Sequence, residues 1–443
     1  MSSPRTTVRR PIHIGLSLSH TWLRGHTWRR ADSRVEEIFT SDSYVDLAQK
    51  AERARLDFVF KPDAVTIDPR GVATWPGFSS LDPMIMIATL ARETSRIGLI
   101  PTISTTFTPP FTIARQLMSL DQISHGRAGW NAVMSLGGHE QYGLVEMPSS
   151  EDRYAMSYEY LDVLQQLWAS YPADALIVDR EGGRYADPAK IHPIDHVGQH
   201  YRVAGPNTLP AYQPGRLPML QAGASPAGRE FAARTADAVF AASPTIEAGI
   251  ELRDDLRRRA VANGRRADDI RVLPGISFFL AASHDEAQRQ YRESLGDWDE
   301  ARVRATITRL YGVDTAELPL DQPIPAVLLP ETLPAPMGPS HAAILRRLVT
   351  EERLTIAELG TRPEVTSPGH WTVIGTVSDA VAEISERIDA GSADGLILLP
   401  GGSWGSLDLF LDEVIPALVD AGMFRADYTG TTLRDHLGMD ADS

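Results

Sequence analysis

The chain has 443 residues, a formal net charge of −15 and no cysteine. The missing cysteine excludes disulfides, Cys-ligated zinc, iron–sulfur clusters and a thiol nucleophile, and the acidic surface disfavours nucleic acid and anionic lipid as partners. Hydrophobic residues make up 43% and charged residues 23%, as in a folded globular protein. No apolar run reaches about 18 residues and no signal-type segment opens the chain, so we expect a cytoplasmic protein without membrane contact.

Strand and helix patterns alternate along the chain. The predicted strands, in chain order, are residues 12–18, 58–60, 97–103, 127–134, 218–222, 238–241, 272–280 and 396–399. A helix pattern follows each strand, often with a clear start signal such as Asp82 before Pro83, an N-cap followed by proline in the first turn. Eight βα units predict an α/β fold, the closed (β/α)8 TIM barrel.

Two stretches break this alternation. Residues 171–217 are rich in Pro, Gly, His and Asp, and residues 296–370 contain a Pro-rich run. We therefore predict a single barrel domain over residues 1–443, with insertions before strand five and after strand seven. A doubly wound open sheet is the structural alternative, but no G-x-G-x-x-G motif follows the first strand.

Polar side chains follow several predicted strands, where a barrel of this kind places its active site. They are, in chain order, His20, His26, Asp63, Thr102, Asn131, Ser135 and the turn Gln221–Ser225. Most are neutral donors and acceptors, with no close carboxylate pair and no G-x-S-x-G elbow among them, which disfavours a hydrolase. A large polar heterocycle fits this set better than a metal ion does.

The run from Gly223 to Gly228 is the sharpest local signal. Ser225 is the expected N-cap and Pro226 the first helical residue, so free backbone N–H groups at the helix start can bind a phosphate. An ordinary capped helix that binds nothing has the same pattern. The residues alone leave both interpretations open.

The histidines do not form a recognisable metal motif. Three of them recur at every fourth position, His192, His196 and His200. Pro193 and Gly198 would interrupt a helix there, so we predict no metal site. His20 and His26 lie in the loop after strand one, where one of them is a candidate for catalysis.

Several long runs of the chain are recognisable. The strongest is SLDQISHGRAGWN at residues 119–131, and the others lie at residues 183–196, 205–207, 221–225, 228–237 and 424–438. Together they resemble the bacterial-luciferase-like flavin monooxygenases, and more narrowly the branch with the nitrilotriacetate, EDTA and dibenzothiophene-sulfone monooxygenases. The first run is similar to that family's SLD-(H/Q)-(I/L)-S-x-GRAGWN, and the resemblance covers nearly the whole chain.

The resemblance implies a TIM barrel and a two-component enzyme. Members use reduced FMN from a separate NAD(P)H-dependent flavin reductase, and with O2 it forms a flavin peroxide that oxygenates a small organic substrate. Dimers and tetramers are common in the family, so we expect a homodimer or homotetramer. Two alternatives remain: a flavin-binding relative without catalytic activity, and an F420-dependent oxidoreductase of the same barrel superfamily.

The resemblance also assigns site residues. It places flavin contacts at Asp63, Thr102, Asn131, Ser135, Ser150, Tyr154, Ala224 and Ser225, and catalytic histidines at His20 or His26, with His370 ranked third. The chain departs from the family pattern at Met134, Ser150 and Ala224, where the family has Thr, His and Ser. The substrate stays open, because the aromatic residues Trp22, Trp28, Phe107 and Trp404 fit either an apolar guest or core packing.

Overall fold

The computed structural model describes residues 11–67, 69–223, 225–334, 339–366 and 369–439. Its eight parallel barrel strands pair each with the next and the last with the first, so the barrel is closed. They are β1 His13–Ser17, β2 Phe58–Lys61, β3 Gly98–Ser104, β4 Trp130–Val133, β5 Met219–Gln221, β6 Ala238–Ala241, β7 Arg271–Leu280 and β8 Gly395–Pro400. The predicted TIM barrel is confirmed.

Helices surround the barrel. The longer ones are α1 Asp42–Arg53, α2 Pro83–Glu93, α3 Pro110–Ser124, α4 Ser150–Ala169, α5 Pro226–Thr235, α6 Ile246–Ala262, α7 His284–Leu295, α8 Glu300–Tyr311, α9 Pro339–Thr350 and α10 Val377–Asp389. A last helical stretch comprises Trp404–Leu409, a π-helical turn at Phe410–Val414, and Ile415–Asp420. Short helices lie at Pro69–Val72, Ile356–Leu359, Pro363–Thr366 and Leu433–His436. Asp82 caps α2 as predicted, because its carboxylate accepts from the Ile85 N–H.

The two insertions have different structures. The one before β5 contains two β-hairpins, in which Leu176–Asp179 pairs with Arg184–Ala186 and His196–Val197 pairs with Arg202–Val203. The one after β7 is mainly helical and has its own apolar core. A strand that the sequence pattern did not predict, Trp371–Gly375, follows it and pairs with the carboxyl half of β7 outside the barrel. The division into one domain with two insertions stays a prediction.

The amino end of the barrel is filled by the C-terminal part of the chain. Leu433 and Leu437 are fully buried and join Phe58 and Ile100 in the barrel interior. A Cβ at Gly98 would lie 2.5 Å from Leu433 Cδ1, so glycine leaves the room that this leucine occupies. The function-bearing end is therefore the other one, at the carboxyl ends of the strands. Among the described helices, none is both long and apolar enough to cross a membrane.

Candidate active site

Thr102 and Asn131 lie side by side at the carboxyl ends of β3 and β4, where they are register partners. Asn131 Nδ2 donates to Thr102 Oγ1 at 3.1 Å, and both residues are buried. Asn131 Oδ1 is also buried, yet no described group donates to it. A buried oxygen without a donor costs about 1–3 kcal/mol. This atom is therefore suited to a ligand that brings an N–H or O–H group.

Ser135 lies next to this pair. Its hydroxyl is 2.8 Å from the hydroxyl of Ser104, the last residue of β3. The Oγ1 of Thr106, two residues further along, is buried and has no hydrogen-bond partner in the described chain. The structure thus brings Thr102, Asn131 and Ser135 together, as the sequence predicted for a shared site.

The turn between β5 and α5 forms a narrow cradle. Ser225 caps α5, because its Oγ accepts from the Gly228 N–H at 3.1 Å, and Gln221 Oε1 accepts from the Gly223 N–H at 2.7 Å. A Cβ at Gly223 would come within 2.9 Å of Gly228 Cα, and a Cβ at Gly228 would come within 2.8 Å of Tyr154 Oη. Tyr154 therefore reaches the cradle from α4, and only glycine leaves the space between the turn and the helix open.

One other predicted flavin contact, Ser150, does not lie in this cradle, and another cannot be placed. Ser150 is an exposed residue in the first turn of α4, where Ser149 rather than Ser150 caps the helix by accepting from the Asp152 N–H. In the described chain the Ser150 hydroxyl makes no hydrogen bond. Ala224 lies outside the described residues, so its predicted contact stays a prediction.

Asp63 follows β2, next to a buried lysine that the sequence reasoning missed. Lys61 is 2% exposed, and its Nζ donates to Ser80 Oγ at 2.8 Å. Burial lowers the pKa of Lys61 to about 8, although the carboxylates of Asp63 and Asp82 act in the opposite direction. Partial desolvation, together with the charge of Asp82, raises the pKa of Asp63. A lone lysine ending the apolar strand FVFK was the signal that marks this position.

Two of the three candidate histidines lie in the loop after β1. His20 is buried, with Nε2 2.6 Å from the Tyr44 hydroxyl, and burial aided by the Lys61 charge lowers its pKa to about 3. His26 instead faces the second insertion, where its Nε2 lies 2.9 Å from the exposed carboxylate of Asp297. His20 is therefore a neutral buried group at physiological pH, and His26 is a partner of an exposed acid.

The third candidate, His370, lies against the barrel strands. Its ring stacks on Phe240 of β6 with centroids 5.3 Å apart and an interplanar angle of 10°, and Phe240 contacts Phe60 of the opposite strand β2. A Cβ at Gly275 of β7 would lie 2.5 Å from His370 Nδ1, which is buried and has no described partner. Burial, with the charge of Arg24 adding to it, lowers the pKa of His370 to about 4. This geometry ranks His370 first among the three.

A metal site is not visible in the described residues, which contain no group of three or more His, Asp or Glu side chains arranged around one point. Of the three regularly spaced histidines, His196 lies with Nε2 3.1 Å from Glu159 Oε1. The backbone N–H groups of His200 and Tyr201 donate to the same carboxylate at 2.9 and 2.8 Å. This cluster organises the second hairpin of the first insertion.

Known proteins share this sequence and fold. Residues 22–318 match the family model of the luciferase-like monooxygenases. The chain is 34% identical over 448 residues to a dibenzothiophene-sulfone monooxygenase of Rhodococcus erythropolis strain XP, covering 98% of both chains. It is 34% identical over 447 residues to nitrilotriacetate monooxygenase component A of Aminobacter aminovorans, covering 98% of this chain and 97% of that one.

A solved structure supports the same grouping. The crystal structure of a riboflavin lyase with modified FMN and riboflavin has a TM-score of 0.79 and 30% identity, covering 97% of this chain and 96% of that one. The match in sequence extends along almost the full length, and the barrel with its site at the carboxyl ends of the strands agrees with it. The chain therefore belongs to the luciferase-like monooxygenases, a family of flavin-dependent oxidoreductases.

Proposed function

We propose that this chain is the oxygenase component of a two-component monooxygenase. It binds reduced FMN supplied by a separate NAD(P)H-dependent flavin reductase and uses O2 to oxygenate a small organic substrate. The observation that carries the proposal is the unpartnered Asn131 Oδ1 at the same end of the barrel as the cradle between Gly223 and Gly228. The name "component A" of the nitrilotriacetate relative supports a separate reductase.

The residues at this end fit FMN. Asn131 Oδ1 would accept from an N–H of the isoalloxazine, while the cradle and the positive end of the α5 dipole would hold the phosphate. Tyr154 Oη lies at the same cradle and would donate to a phosphate oxygen. These are neutral groups and backbone dipoles, so the anion is bound locally although the whole chain carries −15. Bound reduced FMN supplies the two electrons that reduce O2, one oxygen atom entering the substrate and the other leaving as water.

The chain itself contributes a hydrogen-bond acceptor on an oriented imidazole ring. His370 is neutral at pH 7 because burial lowers its pKa to about 4, and its Nδ1 has no described partner. The stack on Phe240 fixes the plane of the imidazole. As a neutral imidazole, His370 would therefore accept a hydrogen bond at Nδ1, facing β7.

The cradle offers a direct test with a matched control. Gly223→Ala places a Cβ 2.4 Å from Gln221 Nε2 and 2.9 Å from Gly228 Cα, whereas Gly137→Ala meets nothing within 4 Å. In anaerobic titrations with reduced FMN, we expect Gly223→Ala to weaken binding at least tenfold, about 1.4 kcal/mol. Gly137→Ala should bind like the wild type. Reduced riboflavin, which lacks the phosphate, should not distinguish the variants.

The same samples decide among the functional alternatives. Wild-type protein that fails to bind reduced FMN, or a Gly223→Ala variant that binds it normally, would contradict the proposal. Tighter binding of F420 than of FMN would indicate an F420-dependent oxidoreductase. With a flavin reductase, NADH and 18O-labelled O2, tight FMN binding without label in any organic product across a substrate panel would identify a non-catalytic relative.

A further inference from the structure

Two loops at the candidate active site carry an unusual share of exposed apolar side chains. They are the loop after β2, residues 62–82, and the loop after β4, residues 134–149, fewer than a tenth of the 443 residues. They contain seven of the nineteen large hydrophobic side chains that are exposed in the described chain: Ile67, Val72, Phe78, Leu136, Tyr142, Leu144 and Val145. We call these seven residues the apolar rim. Single exposed hydrophobic residues are common, but a concentration of them marks a binding surface.

The rim is one surface rather than two separate loops. A Cβ at Gly138 would lie 2.5 Å from Val65 Cγ2, so the two loops are in contact. Phe107, in the loop after the intervening strand β3, stacks on Tyr142 with ring centroids 4.5 Å apart and an interplanar angle of 13°. The loops after β3 and β4 therefore meet at a pair of parallel aromatic rings, and the loop after β2 adjoins the β4 loop at Gly138.

This ring pair adjoins the residues proposed to hold FMN. The pKa of Tyr142 is raised by burial and by the carboxylates of Asp63 and Asp82, which places the phenol within electrostatic range of Asp63. The Phe107 N–H donates at 3.3 Å to Ser104 Oγ, the same hydroxyl that pairs with Ser135. The rim is thus continuous with the candidate active site.

The charge of the two loops restricts what they bind. They contain five acidic residues and one basic residue: Asp63, Asp68, Asp82, Glu140, Glu146 and Arg70. The loop after β1 has arginines, but Arg30 pairs with Asp32 and Glu293, and Arg34 pairs with Glu37 and Asp46. Arg24 contributes positive charge near His370, and Arg29 is exposed, but neither residue belongs to the two rim loops. A polycarboxylate brought to the rim would meet like charge and an apolar surface.

We propose that the substrate is an uncharged, planar apolar molecule whose ring system packs on the Phe107–Tyr142 pair within the apolar rim. This inference rests on the proposed monooxygenase function and adds the class of substrate. Similarity alone leaves the class open, because two relatives of the same 34% identity are named for a planar aromatic sulfone and for a tricarboxylate. The parallel rings and the acidic loops favour the first kind of chemistry over the second.

The test measures binding by equilibrium dialysis with naphthalene, dibenzothiophene sulfone and nitrilotriacetate as probes. The wild type should bind at least one aromatic probe ten times more tightly than nitrilotriacetate. Val145→Asp adds a charge to the rim and should weaken aromatic binding at least tenfold. Val145 is 92% exposed, and Val327→Asp, at an 89% exposed position in the second insertion, is the matched control that should bind like the wild type.

Each other result overturns the inference. Nitrilotriacetate binding as tightly as both aromatic probes would contradict the substrate class. Unchanged probe binding in Val145→Asp, with a changed oligomeric mass or lost reductase binding, would show that the rim is a protein interface instead. Reduced FMN is titrated in the same samples, so loss of the proposed function is distinguishable: FMN then fails to bind whatever the probes do.

Discussion

A buried ionisable side chain lies at each end of strand β2. The one at the amino end forms an ion pair, and the one at the carboxyl end does not. At the amino end Asp57 is completely buried and forms a hydrogen bond with the Ile14 N–H, a contact with His13 Nδ1 and an ion pair with Arg425. Burial alone would raise the pKa of Asp57, but Arg425 and His13 hold it below its usual range. At the carboxyl end Lys61 is 2% exposed, and no described carboxylate forms an ion pair with it.

The same contrast extends to hydrogen bonds that involve neutral groups. Near the amino ends of β3 and β4, the buried Arg127 donates to the carbonyls of Ala91, Thr94, Ile97 and Ser124. At the carboxyl ends, Asn131 Oδ1 and His370 Nδ1 are buried without a partner. Buried polar atoms are normally satisfied, so an unsatisfied one requires an explanation. The pairs at the amino end therefore stabilise the fold, although His436 Nδ1 there also lacks a described partner, and the carboxyl end retains hydrogen-bonding capacity for ligands.

The largest expected effect on stability comes from breaking the ion pair at the amino end of β2. Arg425→Ala leaves the carboxylate of Asp57 buried without its strongest partner, and we expect the free energy of unfolding in urea to fall by about 3–5 kcal/mol. Arg115→Ala, at an exposed position of α3 whose side chain forms no hydrogen bond or ion pair in the described chain, should change it by less than about 0.5 kcal/mol. A loss below about 1 kcal/mol for Arg425→Ala would mean that Asp57 is not held by this ion pair.

The second prediction concerns Lys61, the buried lysine without an ion pair at the carboxyl end of β2. Lys61→Met removes a buried cation, and because burial lowers the pKa of Lys61 to about 8, we expect the variant to be more stable at pH 7 by about 1–3 kcal/mol. The sign follows from proton binding. Between pH 8 and 10.5 the unfolded chain holds the Lys61 proton and the folded chain has released it, so raising the pH stabilises the wild type.

The advantage of Lys61→Met should therefore shrink as pH rises through this interval, in urea unfolding measured from pH 7 to 10. A variant that is less stable than the wild type at pH 7 would show that the bond to Ser80 Oγ contributes more than desolvation costs. The lysine would then resemble Asp57, and the contrast between the two ends of β2 would not hold.

The smallest expected change in stability tests whether an unpartnered buried atom serves ligand binding rather than the fold. Asn131→Ala removes an oxygen that has no donor and also the hydrogen bond from Nδ2 to Thr102 Oγ1. These two contributions oppose each other, so we expect the unfolding free energy to change by less than about 1 kcal/mol while reduced FMN binds about tenfold more weakly. Asn207→Ala is the control, because Asn207 is equally buried and has an unpartnered Nδ2, but lies in the first insertion. Equal FMN affinities in both variants would remove Asn131 from the site.

Local signals predicted the barrel because each depends on few residues. The N-cap of Asp82 on Ile85 requires only a short side chain three positions upstream, and the capped turn at Ser225 has the same origin. The strand Trp371–Gly375 has no such signal, because it pairs with β7 outside the barrel after a long insertion. Its alternating burial becomes visible only once α7 and α10 pack against it.

For the candidate site, too, local sequence patterns predicted some features and not others. The sequence and the resemblance placed Thr102, Asn131 and Ser135 near one another because all three stand at the ends of adjacent strands. The resemblance ranked His20 and His26 above His370, and that ranking stays a prediction. The structure adds that His370 has a buried nitrogen without a described partner and stacks on Phe240. No local pattern records these features, because they join residues more than a hundred positions apart.

The sequence by itself determined the class of fold, the absence of thiol chemistry and the family, since these follow from periodicity, composition and long similar runs. Only the tertiary structure decided which polar atoms lack partners, which histidine lies against the barrel, and that the loops after β2 and β4 join into one apolar rim. The physical reason is that hydrogen-bond satisfaction and exposure belong to a three-dimensional neighbourhood, and barrel closure builds that neighbourhood from distant segments.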